Sequence, residues 1–195
     1  MIKINNKISK ETLAHIIGAA IGDGNLSNPN GRATRLRITC DIKYPNIINN
    51  FVKNIKELLP DNKVSIEKHK GACVNISCYS NKWENWLGWK AFGGSKMKQK
   101  ISVPIWIKKS RKYTIGCLRG LFETDGSVYF DRGYKMANFT TAIPTLSRDV
   151  VEMITEIGFN PNLQVHQTID GRRKYTIRVA KKAREFIELI GINKS

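Results

Sequence analysis

Residues 19–26, AAIGDGNL, close an apolar run on an aspartate followed by glycine, and residues 120–128, GLFETDGSV, do the same. Both runs have the spacing of apolar helices, over about 10–22 and about 113–124. A helix C-terminus carries partial negative charge, so a carboxylate there is repelled, whereas the glycine behind it is an ordinary helix stop. Asp-Gly is also a common turn dipeptide. One copy would be read as a turn; two copies, behind helices of the same kind, call for a further reason. Each helix carries glycines one turn apart, Gly18 and Gly22 in the first, Gly116 and Gly120 in the second. By analogy with small-residue seams in membranes, such faces let two helix backbones approach closely. Packed side by side and parallel, the helices would bring Asp23, Asp125 and several unpaired carbonyls to one place. An oxygen-rich, doubly negative pocket of that kind needs a cation. A hard divalent ion such as Mg²⁺, which takes carboxylates, carbonyls and water and bridges to phosphate, meets the need. The expected ligand set is Asp23 and Asp125, with Gly22 and Thr124 before them.

Working outward, the same order of elements occurs twice. After the first helix come an alternating strand at 35–42, a helix opened by Pro45, two strands around a turn at Lys70-Gly71, and a Trp-rich helix at 81–89. After the second come strand material in SVYFDRGY and MANFTTAI, a helix following Pro144, two strands around Asp170-Gly171, and the helix KAREFIELI. Gly171 follows Gly71 by 100 residues and Asp125 follows Asp23 by 102. The matched order makes duplication the better account. The expected fold is α+β: a pseudo-twofold pair of αββαββα units with motif helices packed at the centre. Two antiparallel sheets then form a saddle, each with one face free. The units are expected at residues 1–95 and 113–195, joined by a basic linker at 96–112 whose Pro104 and glycines suit a connection.

An apolar fraction of 41%, with four Trp, seven Phe and six Tyr, argues against disorder. Lys and Arg number 33 against 16 acidic residues, for a net charge of +17. The excess is +10 over residues 1–100 and +7 over 101–195, so it is no basic tail. Such a footprint suits a long polyanion touched by the whole molecule. Cys40, Cys73, Cys78 and Cys117 form no CxxC pair and no signal sequence precedes them, so they read as small hydrophobes in a reducing compartment. The three histidines do not fall at zinc-ligand spacing, and no apolar run reaches the length of a membrane span.

At IIGAAIGDG (16–24) and LRGLFETDG (118–126) the chain resembles the two motifs of a single-chain LAGLIDADG homing endonuclease. The second copy is close; the first keeps Gly18, Asp23 and Gly24. The resemblance implies that Asp23 and Asp125 are catalytic, with metal ions there activating water and stabilising leaving oxygens, one strand each. Glu123 holds another motif position and is expected to cap or to pair with an arginine such as Arg119. The resemblance also implies a basic residue near each scissile phosphate. For the first site it points to the SKMKQK stretch, with Lys98 favoured and Lys100 next; for the second, Lys194 alone is left. Double-stranded DNA is the implied partner, host intron RNA a second candidate, and a monomer the implied state.

Strand alternation sorts the residues that would meet DNA. Arg35, Arg37 and Thr39 oppose Leu36, Ile38, Cys40 and Ile42. Lys174 and Arg178 oppose Tyr175, Ile177 and Val179, while Gln164 and His166 oppose Leu163 and Val165. Arginine takes guanine and glutamine takes adenine in the major groove, which admits a β-ribbon. Arg32, Lys43, Lys68, Lys70, Arg132, Lys135, Arg172 and Arg173 complete the expected interface, the turn and loop residues holding phosphate without specifying sequence. The activity expected is a site-specific, metal-dependent staggered double-strand break by an intron-encoded enzyme. The alternative is a non-cleaving relative, an RNA-splicing maturase or a transcription factor, using the same surface. Abundant Lys, Asn and Ile suit an AT-rich genome, hence a prokaryotic cytoplasm or an organelle matrix.

Overall fold

The computed structural model describes residues 9–68, 71–169, 171–192 and 194. Helix α1 (Lys10–Asp23) starts at Ser9, whose hydroxyl accepts from the Thr12 amide at 3.3 Å and satisfies an unpaired donor of the first turn. From Leu13 through Ile21 it is buried on every side, as an all-apolar helix must be. Strands β1 (Gly24–Ser27) and β2 (Arg35–Asp41), helix α2 (Pro45–Leu58), strands β3 (Val64–Lys68) and β4 (Cys73–Tyr79) and the short α3 (Trp83–Leu87) follow. A four-residue helix, α4 (Ile105–Lys108), lies in the connector. The second unit is α5 (Arg111–Thr124), β5 (Gly126–Asp131), β6 (Tyr134–Thr141), α6 (Pro144–Glu156), β7 (Asn162–Gln167), β8 (Arg173–Val179) and α7 (Ala183–Ile190).

Each unit forms a four-stranded antiparallel sheet, ordered β1-β2-β4-β3 in the first and β5-β6-β8-β7 in the second. Identical strand order on two stretches of chain is the pseudo-twofold repeat. In α2, Ile47, Phe51, Ile55 and Leu58 recur at helical spacing and are buried. The second unit is centred on Phe122, whose ring lies 5.8 Å from Phe139 and 5.2 Å from Phe186. In β2, Leu36, Ile38 and Cys40 are buried and alternate with half-buried Arg35, Arg37, Thr39 and Asp41. The next apolar residue, Ile42, lies past the strand end and is exposed.

Several expectations need correction. Gly24 was expected only to break the first helix, but Gly24–Ser27 pairs with Ile38 to Arg35 as strand β1. Two flanking turn signals had hidden a four-residue strand. The Trp-rich helix is only Trp83–Leu87, because Gly88 at φ 81° turns the chain left-handed. The basic linker is fastened to the second unit. Val103 N–H and Lys108 Nζ both donate to Asp149 on α6, at 2.7 and 2.8 Å, and Thr145 Oγ1 donates to the Ile101 carbonyl at 2.6 Å. Leu163 and Val165 share the helix-side face with Ile177, yet stay exposed, because β7 is an edge strand that the helices do not cover.

Candidate active site and nucleic-acid interface

The seam between α1 and α5 explains the glycines. A Cβ placed on Gly18 would lie 2.1 Å from the Cys117 carbonyl oxygen, and one on Gly120 would lie 2.2 Å from that of His15. Both are impossible distances, so the two backbones touch only because these residues lack side chains. At the tails, a Cβ on Gly22 would meet Thr124 Oγ1 at 2.0 Å and Asp125 Oδ2 at 3.4 Å. Gly116 faces Glu11, Gly120 faces His15 to Ala19, and Gly22 faces Thr124, so contacts climb both helices in the same direction. The helices are parallel, and their aspartates emerge together.

Both aspartates keep an exposed edge at the mouth of the seam. The carboxyl of Asp125 is pushed up to about 6, first by its low-dielectric surroundings, then by the Asp23 charge and a hydrogen bond with Asp23; Lys96 and Lys194 oppose the rise. A lysine lies on each tail. Lys96 donates through Nζ to the Ile21 carbonyl at 2.7 Å and to the Gly22 carbonyl. Lys194 donates to the Thr124 carbonyl at 3.2 Å and to the Gly126 carbonyl. Burial lowers Lys96 to about 8 against the pull of Asp125 and Asp23. Burial likewise lowers Lys194, opposed first by Asp23 and Asp125. The connector lysine that reaches the first tail is therefore Lys96 and not Lys98, whose side chain is exposed and whose amide bonds Ser95. Lys100, at φ 48°, is exposed as well.

Donors to a cation here would all be oxygens: two carboxylates and the carbonyls at the helix ends. No group of three His, Cys, Asp or Glu converges among the described residues. The carbonyls' affinity for positive charge is already visible in the two ammonium groups that cap them. This set fits a hard divalent ion and no soft one. Beside the seam a cavity of about 330 Å³ is lined by Asp23, Thr39, Asp41, Glu123, Thr124 and Lys194, among others.

Glu123 points away from the tails into the seam. Its carboxylate accepts from Arg119 Nε at 2.8 Å and meets His15 Nε2 at 2.6 Å; Asn54 Nδ2 lies 2.7 Å from His15 Nδ1. With the Asn54 amide donating to Nδ1, it is Nε2–H that Glu123 accepts. The network joins α1, α2 and α5. Nothing in the sequence singles out Asn54 for it, whereas an acid within an apolar helix signalled that Glu123 needed a partner.

Residues 112–191 match the LAGLIDADG-like domain family. That match spans the second unit. Among curated proteins no sequence matches the chain. Among solved structures, mesophilic variants of the homing endonuclease I-DmoI superpose with a TM-score of 0.66 at 18% identity, over 93% of this chain and 95% of that one. I-DmoI in complex with DNA and Mn gives 0.66 at 19% identity, over 93% and 96%. Full-length DUF199/WhiA from Thermatoga maritima gives 0.65 at 15%, over 95% of this chain and 56% of that one. At such identities the fold is what is shared.

On the polar face of the first sheet, Arg35 Nε donates to Ser27 Oγ at 3.2 Å and the guanidinium lies 6.0 Å from the Tyr79 ring. Thr39 donates to Asn75 at 2.9 Å, and Lys43 pairs with Asp41 at 3.0 Å. The side chain of Arg37 has no hydrogen-bond partner among the described residues and remains half-buried. In the second unit, Gln164, His166, Lys174 and Arg178 share the polar face, as the register of β7 with β8 requires. Arg172 and Arg173 line an open hollow with Thr140, Gln167 and Lys174. Arg132 is exposed at a two-residue turn with Gly133, at φ 50° and 84°, the left-handed pair that a tight hairpin demands. Exposed Arg32 lies in the β1–β2 loop. Arg173, paired with Gln167 on the side of Tyr175 and Ile177, and two lysines expected at the interface point the other way. Lys135 opposes Phe130 on the side of Ala137 and Phe139, and Lys68 ends β3 on the side of Ile66 and Val74, because pleat parity puts both on the helix side. Lys70 lies outside the described residues.

Proposed function

We propose that this chain is a site-specific DNA endonuclease, a monomer whose two units read a long duplex and whose two helix tails each serve one strand. The observation that carries the reading is a carboxylate and a lysine at each tail of one seam: Asp23 ends α1, whose last carbonyls Lys96 caps, and Asp125 follows α5, where Lys194 caps the carbonyls of Thr124 and Gly126. On this reading the polar sheet faces lie in the major groove on either side and orient the duplex. The tails then sit over the bonds to be broken. Asp23 and Asp125, with nearby carbonyls of Gly22 and Thr124, would hold divalent cations, Mg²⁺ first, which supply Lewis-acid activation of water and stabilise the departing oxygen. Lys96 and Lys194 place positive charge beside each phosphate. Lys96, lowered to about 8, is close enough to neutrality to pass a proton as well. The net charge of +17 draws the duplex in. An intron-encoded enzyme in a prokaryotic cytoplasm or organelle matrix fits this activity; among the described residues no helix is long and apolar enough to cross a membrane.

The test is incubation with Mg²⁺ and the intronless form of its own gene locus, followed by mapping of both strands. A single staggered cut, abolished by a chelator, is expected. Tight binding to that locus with neither strand cut in Mg²⁺ or Mn²⁺ would overturn the enzymatic reading. It would favour the second one, a binding protein or a splicing maturase with host intron RNA as a partner, for which the fold shared with DUF199/WhiA speaks. Rescue of host-intron splicing in vitro then separates the maturase from the DNA-binding regulator.

A further inference from the structure

Arg178 differs from Arg35 and Arg37 of the opposite sheet in being held by a carboxylate. Its Nη2 donates to Asp131 Oδ2 at 2.7 Å. Asp131 closes β5 and Arg178 sits in β8, so the pair arches across β6, the strand between them. Within that arch lies Asn138, the residue directly opposite Arg178, whose Nδ2 donates to the Tyr129 hydroxyl at 2.9 Å. Two atoms of the cluster, Arg178 Nε and Asn138 Oδ1, are shut off from solvent without a partner. Enclosed polar atoms left unpaired are costly and rare, so this arrangement requires a reason.

We propose that Asp131 is a positioning residue that fixes the Arg178 guanidinium to read one guanine in the major groove; the inference rests on the DNA-binding reading above. Arginine has five N–H donors in a rigid fork. Asp131 takes one on Nη2, and the one on Nε is shut off from solvent. What is left is the terminal fork, one N–H on Nη2 and two on Nη1, which matches the O6 and N7 acceptors of guanine. Asp131 also decides between base and backbone. A carboxylate against the guanidinium repels a phosphate, whereas the neutral edge of guanine suffers no such penalty. An arginine already pinned has less rotamer freedom to lose on contact than Arg37, which has no partner. Tyr129 and Asn138 supply the floor that keeps the arch in register.

The experiment selects bound sequences from randomised duplex DNA with the full chain, then measures affinity for every single-base variant of the selected site. Arg178→Ala should remove a guanine preference at one position, a loss of roughly 5- to 150-fold in discrimination. Asp131→Asn should weaken the preference at that same position while overall affinity holds or rises, since a negative charge leaves the interface. The double variant should discriminate no worse than Arg178→Ala alone. Arg178→Lys, which keeps the charge and loses the fork, should also lose the preference with an unchanged salt dependence, and it serves as the probe if Asp131→Asn fails to fold. Uniformly tighter binding by Asp131→Asn with the preference intact would overturn the proposal, as would full discrimination by Arg178→Lys. If the wild-type chain selects no sequence at all, the DNA-reading function itself fails, an outcome separate from a wild-type preference that Asp131→Asn leaves untouched.

Discussion

The two helix tails present the same atoms by different means. Lys96 arrives from a connector fastened along its length: Gln99 donates to the Lys90 and Gly94 carbonyls at 3.0 and 3.1 Å and accepts from the Lys90 amide at 2.8 Å. Beyond it, Ile101 and Val103 are anchored to α6 of the other unit. Lys194 arrives from the chain after α7, which Gly191 ends in a left-handed turn with its amide on the Ile187 carbonyl at 3.0 Å. The two units place the same groups at their tails and differ in the means of delivery. Duplicated chemistry constrains where an ammonium group sits and leaves the route by which the chain brings it free.

The sharpest way to break the equivalence is to remove one carboxylate at a time. Asp23→Asn and Asp125→Asn should each abolish double-strand cleavage while DNA binding is kept or tightened, because each removes a negative charge beside the scissile phosphates. Gel assays of cutting and of binding on one duplex check both halves; normal cutting by either variant would refute the assignment. Next come the lysines. Lys96→Met and Lys194→Met should each slow one strand about 10²- to 10⁴-fold, the usual range for a positioned proton-transfer or charge-stabilising group, so that nicked DNA accumulates with opposite strands cut in the two variants. Gln99→Ala should give a weaker copy of Lys96→Met and leave the Lys194 strand alone. Equal slowing of both strands by either lysine variant would mean the tails do not act separately.

Smaller effects follow at the seam. Gly18→Leu or Gly120→Leu should lower stability by ~1–3 kcal/mol or more, since an added side chain meets backbone that cannot move aside; thermal unfolding reads this directly. The smallest concerns acidity. The folded state holds the Asp125 proton up to about 6 against an ordinary 3.8. Between those values the native state binds more protons than the unfolded chain, so this contribution to the stability of the metal-free protein is fully present below about pH 4 and lost as pH rises through 6. Asp125→Asn should therefore melt higher than wild type above pH 6, with the gap closing toward pH 4. A gap that widens in acid would reverse the assigned shift.

What the sequence revealed followed from periodicity and repetition. The two Asp-Gly tails, the paired glycines and the alternating strand at 35–42 are regular patterns, and α1, α5 and β2 lie where those patterns put them, β2 ending one residue earlier at Asp41. What stayed hidden depended on long-range placement. Three connector lysines, Lys96, Lys98 and Lys100, look alike in sequence, and only the Gln99 fastening and the docking onto α6 turn one of them inward. Lys135 looked like an interface residue until strand parity put it behind the sheet, and the register of β6 is fixed by a turn at Arg132-Gly133 whose length no composition reveals. The Asp131–Arg178 arch was beyond reach because it joins residues 47 apart across an intervening strand.

The burial of α1 on every side bears on modularity. A half that has been cut away from its mate would carry an apolar rod with bare glycine backbone on its flank, which water does not tolerate. Hybrids assembled from one half of this chain and one of a relative therefore depend less on sheet compatibility than on stacking height: in the middle of the seam a glycine must face a carbonyl, as Gly18 faces Cys117 and Gly120 faces His15. Recognition surfaces can be traded freely only between partners whose central rods mesh at the same rungs.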